Sequence, residues 1–269
     1  MYKWNAKEYA NFSAEQQKWA EELLSKLALK GNERVLDIGC GDGKITAGIA
    51  QLLPEGSVLG IDNSKEMIRF ARENFPLEQF TNLTFEMEDA RTLSYNNEFD
   101  VVFSNAALHW VIDHLPVLQG IQKSLKPTGK LLIQMGGNGN AANILKIIEI
   151  ILIHEKWSKY FVDFDFPYGF YGPVEYKGWL EQAGFKIQRI ELIPKDMTHK
   201  GKEGLSAWIK TTWLPYLQRI PDELCDDFIN EIVERYNEDH PPDNDGFYHI
   251  KMMRLEVEAG KKPEPGGGS

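Results

Sequence analysis

The chain has 269 residues, 42% hydrophobic and 26% charged, which is enough to bury one substantial core and too mixed for a fibrous or disordered protein. A formal charge of −10 gives no general attraction to polyanions, so nucleic acid and anionic membrane are not expected as partners and a small-molecule substrate is. The most apolar run, residues 144 to 153, is broken by Lys146 and Glu149 and is too short to span a bilayer, and the absence of a basic-then-apolar leader predicts a cytoplasmic location.

In chain order, residues 14 to 29 place Trp19, Leu23, Leu24 and Leu27 on one helical face, with Ser13 positioned as an N-cap. Residues 33 to 38 read as a buried strand that runs into Asp37-Ile38-Gly39-Cys40-Gly41-Asp42-Gly43 and a helix over 43 to 52. Glycines at 39, 41 and 43 let the backbone fold tightly and approach a ligand. The turn lies at the carboxyl end of a strand, where α/β proteins bind ligands. A dinucleotide pyrophosphate there disfavours carboxylates, whereas Asp37 and Asp42 suit a ligand with cationic groups. S-adenosylmethionine carries two, an ammonium and a sulfonium. A second strand, 57 to 61, ends at Asp62, near the ~20-residue spacing of an acid that grips a ribose diol. A helix over 64 to 74, strands at 83 to 87 and 99 to 103, a helix over 115 to 125, a turn at 127 to 129 and a strand at 130 to 135 continue the alternation, which predicts a parallel sheet.

The stretch from Asp37 to Gly43, followed by Gly60-Ile61-Asp62, resembles the class I methyltransferases that use S-adenosylmethionine. The resemblance implies a Rossmann-like α/β fold with a doubly wound, seven-stranded, mostly parallel sheet and an aromatic-rich helical cap. It implies S-adenosyl-L-methionine as cofactor and S-adenosyl-L-homocysteine as product. It implies a cofactor site built from Asp37, Gly39, Gly41, Asp42, Asp62, Asn63, Met67, Asp89, Ala90 and Asn105. There Met67 faces the adenine from the ribose end, unless it is a plain core methionine. Asp89 accepts from the exocyclic amine beside the backbone N–H of Ala90.

The segment Tyr9 to Gln16 is similar to the start of the small-molecule carboxyl methyltransferases of the trans-aconitate, juvenile-hormone-acid and salicylate type. That similarity implies that Tyr9 and Ser13 hold the cofactor's amino-acid end and that Gln16 reaches the substrate carboxylate; helix capping with a solvated Gln16 is the plain alternative. Residues 104 to 111 lack the Asn-Pro-Pro-aromatic run of methyltransferases acting on amide or exocyclic nitrogens. They resemble the Leu-x-Trp loop of the carboxyl enzymes, which implies that the Trp110 indole holds the acceptor unless it only packs the next helix. His109 is the titratable group beside it, a base toward a hydroxyl or amine, or a packing residue if the acceptor is an already ionised carboxylate.

Residues 155 to 172 hold eight aromatics, read as a lid over an apolar pocket or a segment packed on itself. A helix over 173 to 183 ended by Gly184, a strand at 185 to 193, helices at 202 to 218 and 222 to 237, and a strand at 247 to 257 pairing with strand six at a sheet edge complete the pattern. The expected organisation is a helical entrance segment at 1–30, a cofactor-binding core at 31–136, helix and lid at 137–172, the end of the sheet with a cap insertion at about 202–238 within 173–262, and a linker-like tail at 263–269. Cys40 and Cys225 are expected to stay reduced, Cys40 as a small turn filler rather than a nucleophile, and no Cys/His cluster has metal-site spacing.

The expected activity is O-methylation of the carboxylate of a small organic or lipophilic acid, with Gln16, Trp110 and His109 as the catalytic candidates. Methylation of carbon, nitrogen or a hydroxyl with His109 as base is the alternative. A non-catalytic S-adenosylmethionine-binding module is the alternative from another class.

Overall fold

The computed structural model describes residues 14 to 262, with the side chains of 14 to 18 outside the description. Helix α1 (Ala14–Leu24) precedes β1 (Arg34–Ile38), α2 (Lys44–Gln51), β2 (Ser57–Asp62), α3 (Lys65–Asn74), β3 (Leu83–Met87), β4 (Phe99–Asn105), α4 (His114–Ser124) and β5 (Leu125–Gly136). After these come α5 (Ala142–Leu152), α6 (Glu155–Ser158), α7 (Pro173–Gln182), β6 (Phe185–Lys200), α8 (Gly201–Thr212), α9 (Leu214–Leu217), α10 (Cys225–Asp239) and β7 (Phe247–Lys261). Seven strands form one sheet in the order β3-β2-β1-β4-β5-β7-β6. β1 pairs parallel with β2 and β4, β2 with β3 and β4 with β5, while β7 runs antiparallel to β5, Gln134 facing Glu256 and Gly136 facing Arg254. Strand order reverses between β1 and β4, so their carboxyl ends flank the crevice where open α/β sheets bind ligands.

Alternation along the strands sends successive side chains to opposite faces. Leu36, Ile38, Val102, Ile133, Met135, Leu255 and Val257 pack on one side with Leu118 and Ile121 of α4 and Tyr176 and Leu180 of α7. Val35, Val101, Phe103 and Leu132 pack on the other with Leu23 of α1 and Ile49 of α2. The strand positions in register with this second set include Asp37, Asn105, Gln134, Arg254 and Glu256, so polar groups occupy its carboxyl-end rim.

Two compact units divide the described chain: one holds residues 14 to 138, 168 to 193 and 254 to 262, the other 139 to 167 and 194 to 253. In the second unit, α10 buries Phe228, Ile229, Ile232, Val233 and Tyr236. Trp157 donates from Nε1 to Glu231 at 2.7 Å and meets Phe228 edge-on, and Phe164 packs on Tyr216.

The structure departs from the sequence expectations at several boundaries. β6 continues past residue 193 to Lys200 and β7 past 257 to Lys261. Pro194 does not stop β6, because β6 is the last strand of the sheet and the missing N–H breaks no ladder on its open side. The helix expected over 202 to 218 is divided at Trp213 into α8 and α9, with Pro215 in the first turn of α9, where proline is tolerated but cannot continue a preceding helix. The eight aromatics of 155 to 172 do not act together. Trp157, Phe161 and Phe164 pack within the second unit, whereas Tyr168 and Phe170 stack at 5.1 Å beside His109 in the first.

Among the described residues, no helix is long and apolar enough to cross a membrane.

Candidate active site

The glycine turn after β1 is tied to the end of β2 by backbone bonds, with the N–H groups of Gly39 and Cys40 both reaching Ile61 O. Its three glycines meet different needs. A Cβ on Gly39 would lie 2.1 Å from the Cβ of Ala107, so this glycine lets the β1 loop and the β4 loop touch. Gly41 (φ +53) faces open space, leaving its backbone accessible. Gly43 (φ +82) stands before α2, where a Cβ would strike Phe85 and Ala71. After β4, Ala106 takes φ +55, an uncommon conformation for a residue with a Cβ, and its N–H donates to Gln134 O at 2.8 Å.

The carboxylates have distinct environments. Asp37 is 2% exposed and accepts from Thr46 Oγ1 at 2.7 Å; burial, opposed by that bond and aided by the Asp62 charge, raises its pKa to about 7. Asp42 accepts from the backbone N–H of Lys44 and pairs with its ammonium at 3.4 Å, so its charge is met within the loop. Asp62 receives the Gly41 N–H on one oxygen (3.1 Å) and the Ser64 N–H on the other (2.8 Å), tying the β1 turn to the start of α3. Burial raises its pKa against those bonds. The Asn63 N–H also acts on this carboxylate, and of its roughly four lone-pair positions part remains open to a ligand hydroxyl. Asn63 beside it is exposed, and Met67 is buried at 4% behind the Ser64 cap.

Asp89 follows β3 and caps the single turn Ala90–Thr92, and the Arg91 side chain that bonds it lowers its pKa. Its neighbour Glu88 donates its N–H to Asp62 O, so the ends of β2 and β3 are joined.

Asn105 ends β4, with its Oδ1 buried and without a hydrogen-bond partner. His109 and Trp110 lie in the single turn Leu108–Trp110. The His109 Nδ1 faces the Gly136 N–H at 3.4 Å, which places the ring proton on Nε2. Burial pushes its pKa well below the ordinary value, and the charges of Arg254 and then His114 push the same way. Trp110 meets Tyr168 edge-on at 5.0 Å. The Cys40 thiol is pushed well up by burial and by Asp37 and Asp62, which opposes nucleophilic chemistry.

The structure therefore brings together Asp37, Gly39, Gly41, Asp42, Asp62 and Asn105 around the crevice, with His109 and Trp110 on the loop leaving it. Tyr9 and Ser13 lie outside the described residues, and Gln16 lies on α1 with its side chain outside them. Sequence reading passed over Gln134, Arg254 and Glu256; Gln134 interrupts the apolar run Leu131 to Met135, which is itself a signal, whereas Arg254 and Glu256 lie in a strand that carries other charged residues and are not marked out by it. Among the described residues no cluster of three or more His, Cys, Asp or Glu is placed to hold a metal.

S-adenosylmethionine fits the groups present: an acidic rim for its cations, unfilled acceptor capacity on Asp62, and an orphaned buried acceptor on Asn105.

Residues 29–159 match the family model described as a methyltransferase domain. A methyltransferase of Schizosaccharomyces pombe whose own role is uncharacterised is 30% identical over 265 residues, covering 96% of this chain and 98% of that protein. The trans-aconitate 2-methyltransferase of Variovorax paradoxus is 27% identical over 266 residues, covering 97% and 100%. Among solved structures, a Haemonchus contortus phosphoethanolamine N-methyltransferase in complex with S-adenosylhomocysteine aligns with a TM-score of 0.60 at 22% identity, covering 95% of this chain and 57% of that one.

Proposed function

Because this chain belongs to the S-adenosylmethionine-dependent methyltransferases, we propose that the group it methylates is the carboxylate of a small organic or lipophilic acid. When bound, S-adenosylmethionine supplies an electrophilic methyl group. In this reading Asp62 holds the ribose hydroxyls, Asp89 and the Ala90 N–H take the adenine edge, and Asp37, Gly39, Gly41, Asp42, Asn63, Met67 and Asn105 shape the rest of the cofactor site. Tyr9 and Ser13 are proposed for its amino-acid end.

The observation that carries the carboxylate reading is the state of His109. With Nδ1 directed at the Gly136 N–H and burial opposing protonation, the ring is a poor acceptor of a substrate proton. An alcohol or amine acceptor needs such a base, whereas a carboxylate arrives ionised at neutral pH. The chain's task is then to orient one oxygen and exclude water. The Trp110 indole N–H and the Gln16 amide are neutral donors suited to that, since they orient a carboxylate without the charge neutralisation that blunts a nucleophile. The rings of Tyr168 and Phe170 beside His109 support exclusion of water.

The similarity to trans-aconitate 2-methyltransferases along nearly the whole chain adds support for an organic acid as acceptor.

Incubation with methyl-labelled cofactor and separate pools of organic acids, alcohols and amines tests the proposal. The label should enter the acid pool as an ester that releases methanol in mild alkali. Label held in alkali-stable form, or incorporated only into amines or alcohols, would overturn it. Trp110→Phe should lower kcat/KM on the active acid by about ten- to a hundredfold, the worth of one hydrogen bond to a charged group, with little change in cofactor affinity.

A further inference from the structure

Three backbone carbonyls of the loop between β4 and α4, the loop that bears His109 and Trp110, are each met from outside it. His109 O accepts from the Gly169 N–H at 2.9 Å, Val111 O from His114 Nε2 at 2.8 Å, and Ile112 O from the Tyr171 hydroxyl at 2.6 Å. All of these residues belong to the first unit. The approach is close, since a Cβ on Gly169 would lie 2.4 Å from Val111 O and 3.0 Å from His114 Nε2.

His114 opens α4 behind its Asp113 cap and is 1% exposed. A carbonyl oxygen can only accept, so the bond to Val111 requires the ring proton on Nε2. Nδ1 is then an acceptor, and it receives the Tyr176 hydroxyl of α7 at 2.5 Å. Burial lowers the pKa of the ring, opposed by the Val111 and Leu108 carbonyls and the Asp113 charge, which favours the neutral ring with its single proton. Met135 Sδ, at 3.5 Å from the same hydroxyl, is the weaker acceptor. Tyr176 is fully buried, so its one proton selects the tautomer of His114, and the tautomer decides whether the loop is held.

The bond to Ile112 O is exposed, and water could have served that carbonyl. A buried imidazole of fixed tautomer instead holds its neighbour Val111 in one place. One residue before Val111, Trp110 meets Tyr168 edge-on, and Tyr168 adjoins Gly169. We propose that His114 and Tyr176 are positioning residues for methyl transfer: Tyr176 fixes the His114 tautomer, His114 holds Val111, and the loop thereby presents Trp110 to the acceptor group in one orientation. The proposal rests on the reading of Trp110 as the residue that holds the acceptor and adds the buried pair that aims it.

The test measures kcat/KM on whichever acceptor pool takes label from the methyl-labelled cofactor, with calorimetric affinity for S-adenosylhomocysteine beside it. Tyr176→Phe keeps the packing and frees the tautomer, and should lower kcat/KM about tenfold, within the range that a misplaced group costs, while the affinity stays within about twofold of wild type. His114→Gln offers Val111 an amide N–H that has no tautomer to select, so it should keep most of the activity, whereas His114→Leu should lose up to about a hundredfold. Tyr176→Phe added to His114→Gln, or added to Trp110→Phe, should then change kcat/KM by less than about twofold, because the hydroxyl acts only through the ring and through Trp110. Tyr176→Phe and His114→Gln carry the test alone if His114→Leu does not fold.

An equal loss from Tyr176→Phe in all three backgrounds would mean that the hydroxyl only supports the fold, and a loss of S-adenosylhomocysteine affinity in step with activity would mean that the whole crevice is disturbed; either overturns the inference, as does full activity of Tyr176→Phe. Label entering only amines or alcohols would overturn the carboxylate reading, yet the same ratios on that acceptor still decide the inference. Trp110→Phe without effect on the labelled acceptor would overturn the acceptor role of Trp110 and the inference with it.

Discussion

Asp37 gives the most direct physical test of the site, because its carboxyl is buried at 2% exposure with a hydroxyl bond from Thr46 as its described side-chain partner. Asp37→Asn keeps the shape and the acceptor for Thr46 while removing the charge. With the folded pKa raised to about 7 from 3.8, the native state grips the proton more tightly than the unfolded chain does. Its contribution to stability is therefore fully present below about pH 4, falls as pH rises, and is gone above about pH 7, where the native state must hold a buried charge. The interval from 3.8 to about 7, at ~1.36 kcal/mol per pH unit, amounts to roughly 4 kcal/mol. The unfolding free energy of Asp37→Asn relative to wild type should accordingly rise by about 4 kcal/mol between about pH 4 and pH 8. Urea titrations of both proteins at matched pH measure that gap, and groups that titrate alike in both cancel. A gap constant to within ~1 kcal/mol across the range would refute the reasoning, because it would mean that Asp37 ionises as an exposed carboxylate does.

Asp62→Ala should reduce affinity for S-adenosylhomocysteine by roughly 3–6 kcal/mol, two bonds to a charged acceptor at ~1.5–3 kcal/mol each, whereas Asp89→Ala should cost less because the Ala90 N–H remains; calorimetry that ranks them the other way would misplace the adenine and ribose ends. His109→Gln should leave a pH–rate profile without an inflection near 6.5, as should the wild type, and a wild-type rate that rises through that pH would restore His109 as a base. Because the half-buried ring, desolvated by its surroundings, refuses a proton that the unfolded chain accepts, wild-type stability should fall as pH drops below about 6.5, and His109→Gln should lose that component in acid denaturation. Gly39→Ala should be far more damaging than Gly41→Ala: both positions have positive φ, costing about 1–2 kcal/mol for a Cβ, but only at 39 does the new carbon also collide with Ala107, so equal urea midpoints would contradict the packing described here.

Much of the parallel half of the sheet was legible in the residues alone, because its determinants are local. A buried strand, a glycine turn and an acid at the next strand end are short-range patterns whose backbone requirements are met within a few residues, and the parallel alternation of elements leaves little freedom in how they assemble. The expected span of β3, Leu83 to Met87, was also found, since its ends are marked by local turns. The lengths of β6 and β7 were not legible, because a strand's extent depends on whether a neighbour is there to pair with it; Pro194 reads as a stop in isolation and is harmless on an outer strand. The aromatic-rich stretch from 155 to 172 reads as one feature, yet its rings join two different cores, a partition that depends on contacts far away in the chain.

The same holds for the chemistry of single groups. Nothing in the neighbourhood of Gln134 along the chain says that it faces Glu256, 122 positions later, or that Lys26 and Arg189 converge on that carboxylate from the turn after α1 and from β6. Nor does the sequence around His109 reveal that the Gly136 N–H will point at one of its nitrogens. Residue type and spacing determined which groups this protein possesses and where its glycine turn lies; the tertiary structure decided which of them are buried, which are already partnered and which are left with an open valence. Burial and partnering are set by packing between distant segments, and those set pKa and hydrogen-bond capacity.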